Sequence, residues 1–192
     1  MVIAISRESG CGGHEIAVRC AHKKGIPLYD KKTIRELAEK RGLRTDLPEF
    51  SDDDTPIVPA LLGVMGDDRR SLKAMMHELA VKGDCVVVGR CGDLLADMPD
   101  VEMLSFFIHA DLDVKIARLM ERKGLSPEQA RRRIERIDRS RKLYFEHFAH
   151  KNWRSCRSYN FSLDSGFLGL NACVDAILHL SENGLRITQC FD

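Results

Sequence analysis

The sequence predicts an α/β fold in which helices cover both faces of a doubly wound parallel sheet. Apolar runs of strand length alternate with segments whose apolar residues recur at helical spacing. Residues 85–88 (CVVV) and 103–109 (MLSFFIH) are apolar runs of the kind that is buried on both faces of a parallel sheet. Ligands bind at the carboxyl ends of such strands, so we expect a functional site in the segments that follow them.

The first half of the chain begins with a strand, a glycine-rich loop and a helix. VIAI (2–5) is the first predicted strand, and the helix after the loop ends at Gly25, a typical C-terminal cap. IPLYD (26–30) is predicted as a short strand or turn. Asp30 is then the predicted N-cap of a helix that runs to Gly42.

The segment 43–66 contains prolines, an acidic triplet and small residues, and it predicts a loop-rich excursion. We interpret Asp52, Asp53 and Asp54 as a solvated run or a helix cap, because nothing near them in the sequence completes a coordination shell. The cysteines also show no metal-ligand spacing, so we predict no metal site made by the protein.

The second half continues the alternation. Helices are predicted over 72–80, between Asp111 and Gly124, and from Ser126, where a serine, a proline and a glutamine form a capping-box pattern. YNFSLDS (159–165) is predicted as the last strand, followed by a closing helix over 170–180.

Composition predicts one globular domain over residues 1–192. The formal net charge of +1 excludes a global attraction to nucleic acid or membrane, so any anion must be bound by a local cluster. The seven cysteines form no CxxC pair, and the N-terminal apolar stretch has only the length of a strand. We therefore expect a cytoplasmic protein without a membrane span.

The stretch SRESGCGGHEIA (6–17) stands where a phosphate-binding loop would stand, but it has no lysine. Against the pattern GxxxxGK[ST], Gly12 matches, while Arg7, Gly13 and His14 replace the first glycine, the lysine and the hydroxyl residue. Glycines let backbone N–H groups converge on an anion at the start of a helix, and Arg7 and His14 are candidates for the missing positive charge.

Two other interpretations of this loop stay open. Against the dinucleotide pattern GxGxxG, Gly10 and Gly12 match and Glu15 replaces the third glycine. Asp30 lies 20 residues after Gly10, close to the expected position of a ribose-binding acid. The second interpretation is a glycine-rich turn that binds no ligand. Three glycines so close together cost chain entropy, which argues against a turn without a ligand.

Basic residues concentrate in ARRRIERIDRSRKLYFEH (130–147). Its apolar stripe of Ile134, Ile137 and Leu143 is too narrow to predict deep burial. Three interpretations of this basic segment stay open: a solvated helix face, a mobile helix that closes over polyphosphate, and an RNA-binding helix. The arginines are Arg131, Arg132, Arg133, Arg136, Arg139 and Arg141, balanced by Glu135 and Asp138, and the aromatic residues available to stack on bases are Tyr144, Trp153 and Tyr159.

Another basic residue follows a strand. Arg90 ends VVVGR, at the sheet edge where the glycine loop is expected, and a guanidinium there can bind a phosphate with two hydrogen bonds. Asp93 follows three residues later, and it could orient a substrate, bind a metal through water or cap the next turn. A surface ion pair is the other interpretation of Arg90.

Taken together, these segments resemble the cytidylate kinase-like family, a branch of the P-loop nucleoside monophosphate kinases. The resemblance is collinear over nearly the whole chain. It rests on AISRESGCGGHEIA, GIPLYDKKTI, VVVGRCGDLL, FFIHADLDVKIARLMERKGLS, IDRSRKLYFEHF, KNW and YNFSLDSGFLGLNACVDAIL.

The resemblance implies a P-loop fold, an arginine-rich helical lid, and transfer of the γ-phosphoryl group of Mg·ATP to a nucleoside monophosphate. Residues 30–83 would form the monophosphate-binding region, and residues 124–158 would form the lid. The expected partners are nucleotides, and the candidate assembly is a homodimer. Within the loop motif, Ser6, Arg7, Gly10, Gly12 and Gly13 match the family. The implied ATP-binding residues are Ser9, Gly10, Cys11, Gly12, Gly13, His14 and Glu15; the implied acceptor-binding residues are Arg90, Asp93, Asp138 and Arg141; the implied catalytic residues are Arg7, His14, Arg132, Arg136, Arg139 and Arg141.

The family tends to carry an arginine where this chain has His14. A second hypothesis is therefore a protein that binds nucleotide without transferring phosphate, and a third is the dinucleotide-binding protein suggested by Asp30.

Overall fold

Five strands form one sheet in the computed structural model, which describes residues 1–46, 66–89, 92 and 94–183. All four strand pairs are parallel, so the predicted α/β sheet is confirmed. The strands are β1 (Val2–Arg7), β2 (Leu28–Tyr29), β3 (Cys85–Val88), β4 (Met103–His109) and β5 (Phe161–Asp164), and their order in the sheet is β2-β3-β1-β4-β5.

Six helices connect and follow the strands in the described part of the chain. They are α1 (Gly13–Lys24), α2 (Lys31–Lys40), α3 (Gly66–Val81), α4 (Leu112–Lys123), α5 (Pro127–Ala149) and α6 (Ser165–Asn183), with a short 3₁₀ helix at Cys156–Ser158. Helix α6 contains a break at Gly169, where φ is 77°. No described helix is both long and apolar enough to cross a membrane.

Three predicted helix caps are confirmed. Gly25 ends α1 in the left-handed conformation, and the Asp30 side chain accepts a hydrogen bond from the backbone N–H of Thr33 at the start of α2. Ser126 and Gln129 form both bonds of a capping box at the start of α5. The predicted 43–66 excursion falls mostly on residues 47–65, and Asp52, Asp53 and Asp54 with it, outside the described residues.

The two faces of the sheet carry different layers. Ile3, Ile5 and Val88 belong to a core that includes buried residues of α1 and α6. Val2, Cys85 and Val87 point to the opposite face and belong to a second core with α2 and α3. Alternate strand residues thus bury both faces, which explains the continuous apolar runs in the sequence.

Helix α5 is buried more deeply than its narrow apolar stripe predicts, and that expectation is wrong. In addition to Ile134 and Ile137, α5 buries Asp138, Ser140 and Tyr144. Polar residues can be buried here because tertiary partners satisfy them, as described below for Asp138. Tyr144 is fully buried and Trp153 is only 3% exposed, so two of the three rings that the RNA-binding interpretation offers for stacking are not accessible to bases.

The capping box gives a stability prediction. We expect Ser126→Ala to lower the free energy of unfolding by about 1 kcal/mol, because the N–H of Gln129 loses its acceptor. Chemical denaturation measures this change. Ser126→Thr keeps the acceptor oxygen and should recover most of the loss, whereas equal losses in both variants would contradict the role of the cap.

Candidate active site

The loop that joins β1 to α1, residues 8–12, is here called the glycine loop. Gly10 and Gly12 both have φ of +83°, a left-handed conformation that L-residues rarely adopt. Gly10 also lies close to α4, because a Cβ atom at Gly10 would stand 3.0 Å from the backbone oxygen of Lys115. Gly12 precedes the first turn of α1, so the N–H groups at the start of α1 face the cavity beside the loop.

Arg7 occupies the space that a side chain at position 13 would need. A Cβ atom on Gly13 would lie 2.5 Å from the Cβ of Arg7 and 2.9 Å from its Cγ. The Arg7 guanidinium extends to Gly89 at the end of β3, where a Cβ atom would collide with Nη1. The stem of Arg7 thus excludes a side chain at Gly13, where the common pattern has a lysine, and the guanidinium ends at Gly89.

Residues outside the glycine loop hold its C-terminal half. Arg118 of α4 donates from Nη1 to the backbone oxygen of Cys11 at 2.9 Å, and the buried Ser165 hydroxyl donates to the same oxygen at 2.6 Å. The Cys11 thiol donates to the backbone oxygens of Glu8 and Ile108. Burial raises the pKa of this thiol to about 11, so Cys11 is a structural residue and not a nucleophile.

The buried charge cluster, named for its buried members Glu8, Lys115 and Asp138, holds the N-terminal half of the loop. Its fourth member, Arg154, has a side chain that is 54% exposed. Glu8 binds Lys115 through Oε2 at 2.6 Å and Arg154 through Oε1 at 2.8 Å. Asp138 accepts from the backbone N–H of Ser9 at 2.7 Å and pairs with Arg154 at 3.2 Å. Two acids and two bases therefore compensate one another around the loop.

Burial is the dominant influence on Asp138, which is 4% exposed. Burial raises the pKa of this carboxyl to about 6, although the Ser9 N–H and the charge of Arg141 act in the opposite direction. The carboxylate form of Asp138 therefore depends on its contacts with the loop and with neighbouring cations.

His14 projects from the first turn of α1 toward α2. Its Nε2 lies 3.0 Å from Oδ2 of Asp30, and the other oxygen of Asp30 caps α2 by accepting from Thr33. Burial alone would raise the pKa of Asp30, but the hydrogen bonds from His14 and Thr33 outweigh it and lower that pKa to about 2. Asp30 is therefore a cap that ties the first turn of α1 to α2.

A cavity of about 520 Å³, here called the loop cavity, opens beside the glycine loop. Eight Lys or Arg side chains line it, against three carboxylates, so this nearly neutral protein has a strongly positive concavity at one place. The cations are Arg7, Lys31, Lys32, Arg118, Arg122, Lys123, Arg133 and Arg141, and the acids are Glu8, Glu15 and Asp30. The charge and the helix N-terminus together favour a polyanionic ligand.

The chain matches the profile of the cytidylate kinase-like family over residues 2–166. It belongs to the cytidylate kinase-like family. A cytidylate kinase of Methanopyrus kandleri is 30% identical over 95% of this chain and 97% of its own length.

Solved structures share the fold of this chain. An uncharacterized protein from Eubacterium ventriosum superposes with a TM-score of 0.74 at 27% identity, covering 95% of this chain and 98% of the other. A shikimate kinase from Bacteroides thetaiotaomicron superposes with a TM-score of 0.52 at 16% identity, over 95% of this chain and 98% of its own. The fold is that of the P-loop kinases, with a doubly wound parallel sheet flanked by helices.

Most of the site residues predicted in the loop segment line the loop cavity. The loop cavity is lined by Arg7, Ser9, Gly10, Gly12, Gly13, His14, Glu15 and Arg141, while the side chain of Cys11 is buried beneath the loop. Asp138 lies behind the loop in the buried charge cluster. Arg90 and Asp93 lie outside the described residues.

The arginines of α5 separate into groups around the helix. Arg133 and Arg141 line the loop cavity, and Arg141 donates to the backbone oxygen of Arg7 at 3.2 Å. Arg139 lines a neighbouring cavity of about 680 Å³, Arg132 pairs with Glu128 at the surface, and Arg136 is exposed. The spacing 133, 137, 141 places one stripe of α5 toward the loop.

Sequence reasoning missed the residues that position the loop. Lys115, Arg118 and Ser165 lie in segments that carry the family resemblance, but none of them had an assigned role. Glu8 stood inside the loop without a role, and Arg154 lies in no quoted segment. Glu8, two residues before Gly10, was a usable signal in the sequence. An acid that is buried in such a loop needs a cationic partner, so its presence could have predicted one.

The sheet order argues against the dinucleotide-binding interpretation. In the common dinucleotide-binding fold β2 lies next to β1. Here β3 lies between them, and Asp30 is engaged by Thr33 and His14.

The close contact between Arg7 and Gly13 gives a double-mutant prediction. Gly13→Ala should lower the free energy of unfolding by about 2 kcal/mol, because the added methyl overlaps the Arg7 side chain. In an Arg7→Gly background the same substitution should cost little. Urea denaturation of the two single variants and the double variant measures the coupling, and additive effects would contradict the overlap.

The buried Asp138 gives a pH prediction. Its folded pKa of about 6 exceeds the ordinary value, so its contribution to stability is present at low pH and is lost as pH rises from about 4 to about 6. Over this range the stability of the wild type relative to Asp138→Asn should therefore fall, by roughly 2 kcal/mol. Denaturation curves of both proteins at pH 4, 5, 6 and 7 test this, and parallel pH profiles would contradict it.

Proposed function

We propose that this protein transfers the terminal phosphoryl group of Mg·ATP to a nucleoside monophosphate, with a cytidylate-like acceptor favoured. The observation that carries the proposal is the loop cavity, where a glycine loop, a helix N-terminus and eight cationic side chains converge. Membership in the cytidylate kinase-like family supports a phosphotransferase, and the cytidylate kinase of Methanopyrus kandleri supports this choice of acceptor.

The residues present fit a polyphosphate. Backbone N–H groups of residues 10–14 would hold the β-phosphate, because Gly10, Gly12, Gly13 and His14 line the cavity at the start of α1. Among the described residues there is no cluster of His, Cys, Asp and Glu that would bind a metal by itself. Mg²⁺ would enter as part of the substrate, coordinated mainly by phosphate oxygens and water.

Arg7 would supply the charge that a loop lysine supplies elsewhere. The stem of Arg7 passes the start of α1, its guanidinium lies at Gly89 after β3, and Arg7 lines the loop cavity. Arg141 holds the backbone of Arg7 and lines the same cavity, so these two cations would stabilise the charge of the transferring group. Phosphoryl transfer depends mostly on such positioning and charge stabilisation.

Lys31 and Lys32 line the opposite wall of the loop cavity, at the start of α2. They begin the proposed monophosphate-binding region, residues 30–83, and would attract the phosphate of the acceptor. The proposed lid, residues 124–158, contains α5, whose Arg133 would neutralise further phosphate charge and help to exclude water.

A protein that binds nucleotide without transferring phosphate is the second candidate. The observation in its favour is at position 13, where the common pattern has a lysine. This chain has glycine there, and the Arg7 side chain leaves no space for a side chain at that position. ADP release from ATP and Mg²⁺ over a panel of nucleoside monophosphates distinguishes the two. The first candidate requires turnover with at least one acceptor, and the second requires calorimetric binding of nucleotide without turnover.

The proposed role of Arg141 gives a kinetic prediction. Arg141→Ala should lower the rate of phosphoryl transfer about 10³-fold or more, because one guanidinium beside the transferring group is lost. Arg141→Lys should be intermediate, since an ammonium keeps the charge without the planar fork. Arg131→Ala, at an exposed position of the same helix, is the matched control and should retain the wild-type rate. An unchanged rate in Arg141→Ala would remove Arg141 from the mechanism.

A further inference from the structure

His14 is the one histidine among the side chains that line the loop cavity in the described part of the chain. The other charged groups there are lysines, arginines and carboxylates, whose charges ordinarily stay constant between about pH 6 and about pH 8. Histidine is the side chain that normally gains or loses its charge in this range. One part of the charge of the loop cavity therefore depends on pH, and it lies on α1.

The position of His14 places it beside the donor phosphates of the proposed function. It is the second residue of α1, after Gly13, in the turn whose backbone N–H groups have no acceptor within the helix. Its side chain is 54% exposed and lines the loop cavity, so a polyphosphate bound at this turn can reach the ring.

Asp30 determines which nitrogen of His14 carries the proton in the neutral ring. Nε2 of His14 lies 3.0 Å from Oδ2 of Asp30. Burial alone would raise the pKa of Asp30, but the hydrogen bonds from His14 and Thr33 hold it at about 2, so Asp30 is a carboxylate that can only accept. Nε2 is therefore the protonated nitrogen, and Nδ1 has a lone pair that a phosphate oxygen would repel.

Charged groups from several elements share the cavity with His14. Lys31 and Lys32 lie at the start of α2, and Glu15, on the same turn as His14, is engaged by Arg19 and Arg122. A bound polyphosphate adds negative charge at this point and favours the imidazolium over the neutral ring. The remaining charged groups of the cavity are Arg7 and Glu8 at the loop, Arg118 and Lys123 of α4, and Arg133 and Arg141 of α5.

We propose that His14 is a proton-linked residue of the donor site: the polyphosphate binds to its imidazolium form, with Asp30 holding the Nε2–H group and the added proton on Nδ1. Binding of the donor therefore takes up a proton from solution, and by linkage the donor binds more tightly as pH falls. The inference rests on the proposed function, in which the loop cavity holds Mg·ATP, and it adds a dependence of that site on pH.

Two substitutions separate the charge of His14 from its contact with Asp30. His14→Arg carries a positive charge throughout this pH range, whereas His14→Gln keeps a donor for Asp30 without a charge. Both variants retain Asp138, a group near the loop whose pKa burial raises to about 6. His22→Gln replaces an exposed histidine at the other end of α1 and is the matched control.

The test is calorimetric titration of the full chain with Mg·ATP at pH 6, 7 and 8, in buffers of different ionisation enthalpy. The heat that varies with the buffer measures the protons taken up on binding, and protonation of ATP itself is common to all the proteins compared. At pH 7 the wild type and His22→Gln should take up a fraction of one proton more than His14→Arg and His14→Gln.

The affinities should follow the charge of residue 14. From pH 6 to pH 8 the Kd of the wild type should rise about tenfold relative to that of His14→Arg, because a charged hydrogen bond is lost. His14→Gln should match the wild type at pH 8 and bind more weakly than the wild type at pH 6. Thermal denaturation at each pH shows that the variants compared are folded.

The outcomes separate the inference from the proposed function. Equal proton uptake in the wild type, His14→Arg and His14→Gln would overturn the inference and leave the proposed function standing. Parallel pH profiles of the Kd in these three proteins would overturn it as well. A wild-type protein that binds no Mg·ATP at any of these pH values would overturn the proposed function, and the inference with it.

Discussion

The contact between Arg7 and Gly13 is the constraint on which the arrangement of the site depends. The side chain of Arg7 fills the space above the first residue of α1, so position 13 must be glycine. The tip of the same side chain lies against Gly89, whose φ of +95° itself favours glycine. The positive charge comes from the end of β1 instead of the start of α1.

The glycine loop is shaped by contacts from elements far away in the chain. Lys115 and Arg118 of α4, Asp138 of α5 and Ser165 of α6 each bind the loop or a residue within it. Left-handed glycines make such a loop deformable, and these contacts compensate by fixing it at both ends. The loop is therefore coupled mechanically to α5, the helix that we propose as the lid.

Electrostatics distinguishes the loop cavity from its neighbour. Eight cations face three carboxylates in the loop cavity, whereas four cations and four carboxylates line the larger cavity on the other side of Glu8 and Asp138. Helix α5 contributes arginines to both. Charge and not volume therefore identifies the site for a polyphosphate, because an anion is stabilised only where the surrounding charges do not cancel.

The sequence by itself determined the alternation of strands and helices, the caps at Gly25, Asp30 and Ser126, and the position of the glycine loop, because these depend on local hydrogen bonds and on the period of apolar residues. Only the tertiary structure decided the place of β3 between β1 and β2, the burial of α5, and which arginines of α5 reach the loop. It also decided the partners of Glu8 and Asp138, since an ion pair between residues 107 positions apart depends on packing that no local pattern records.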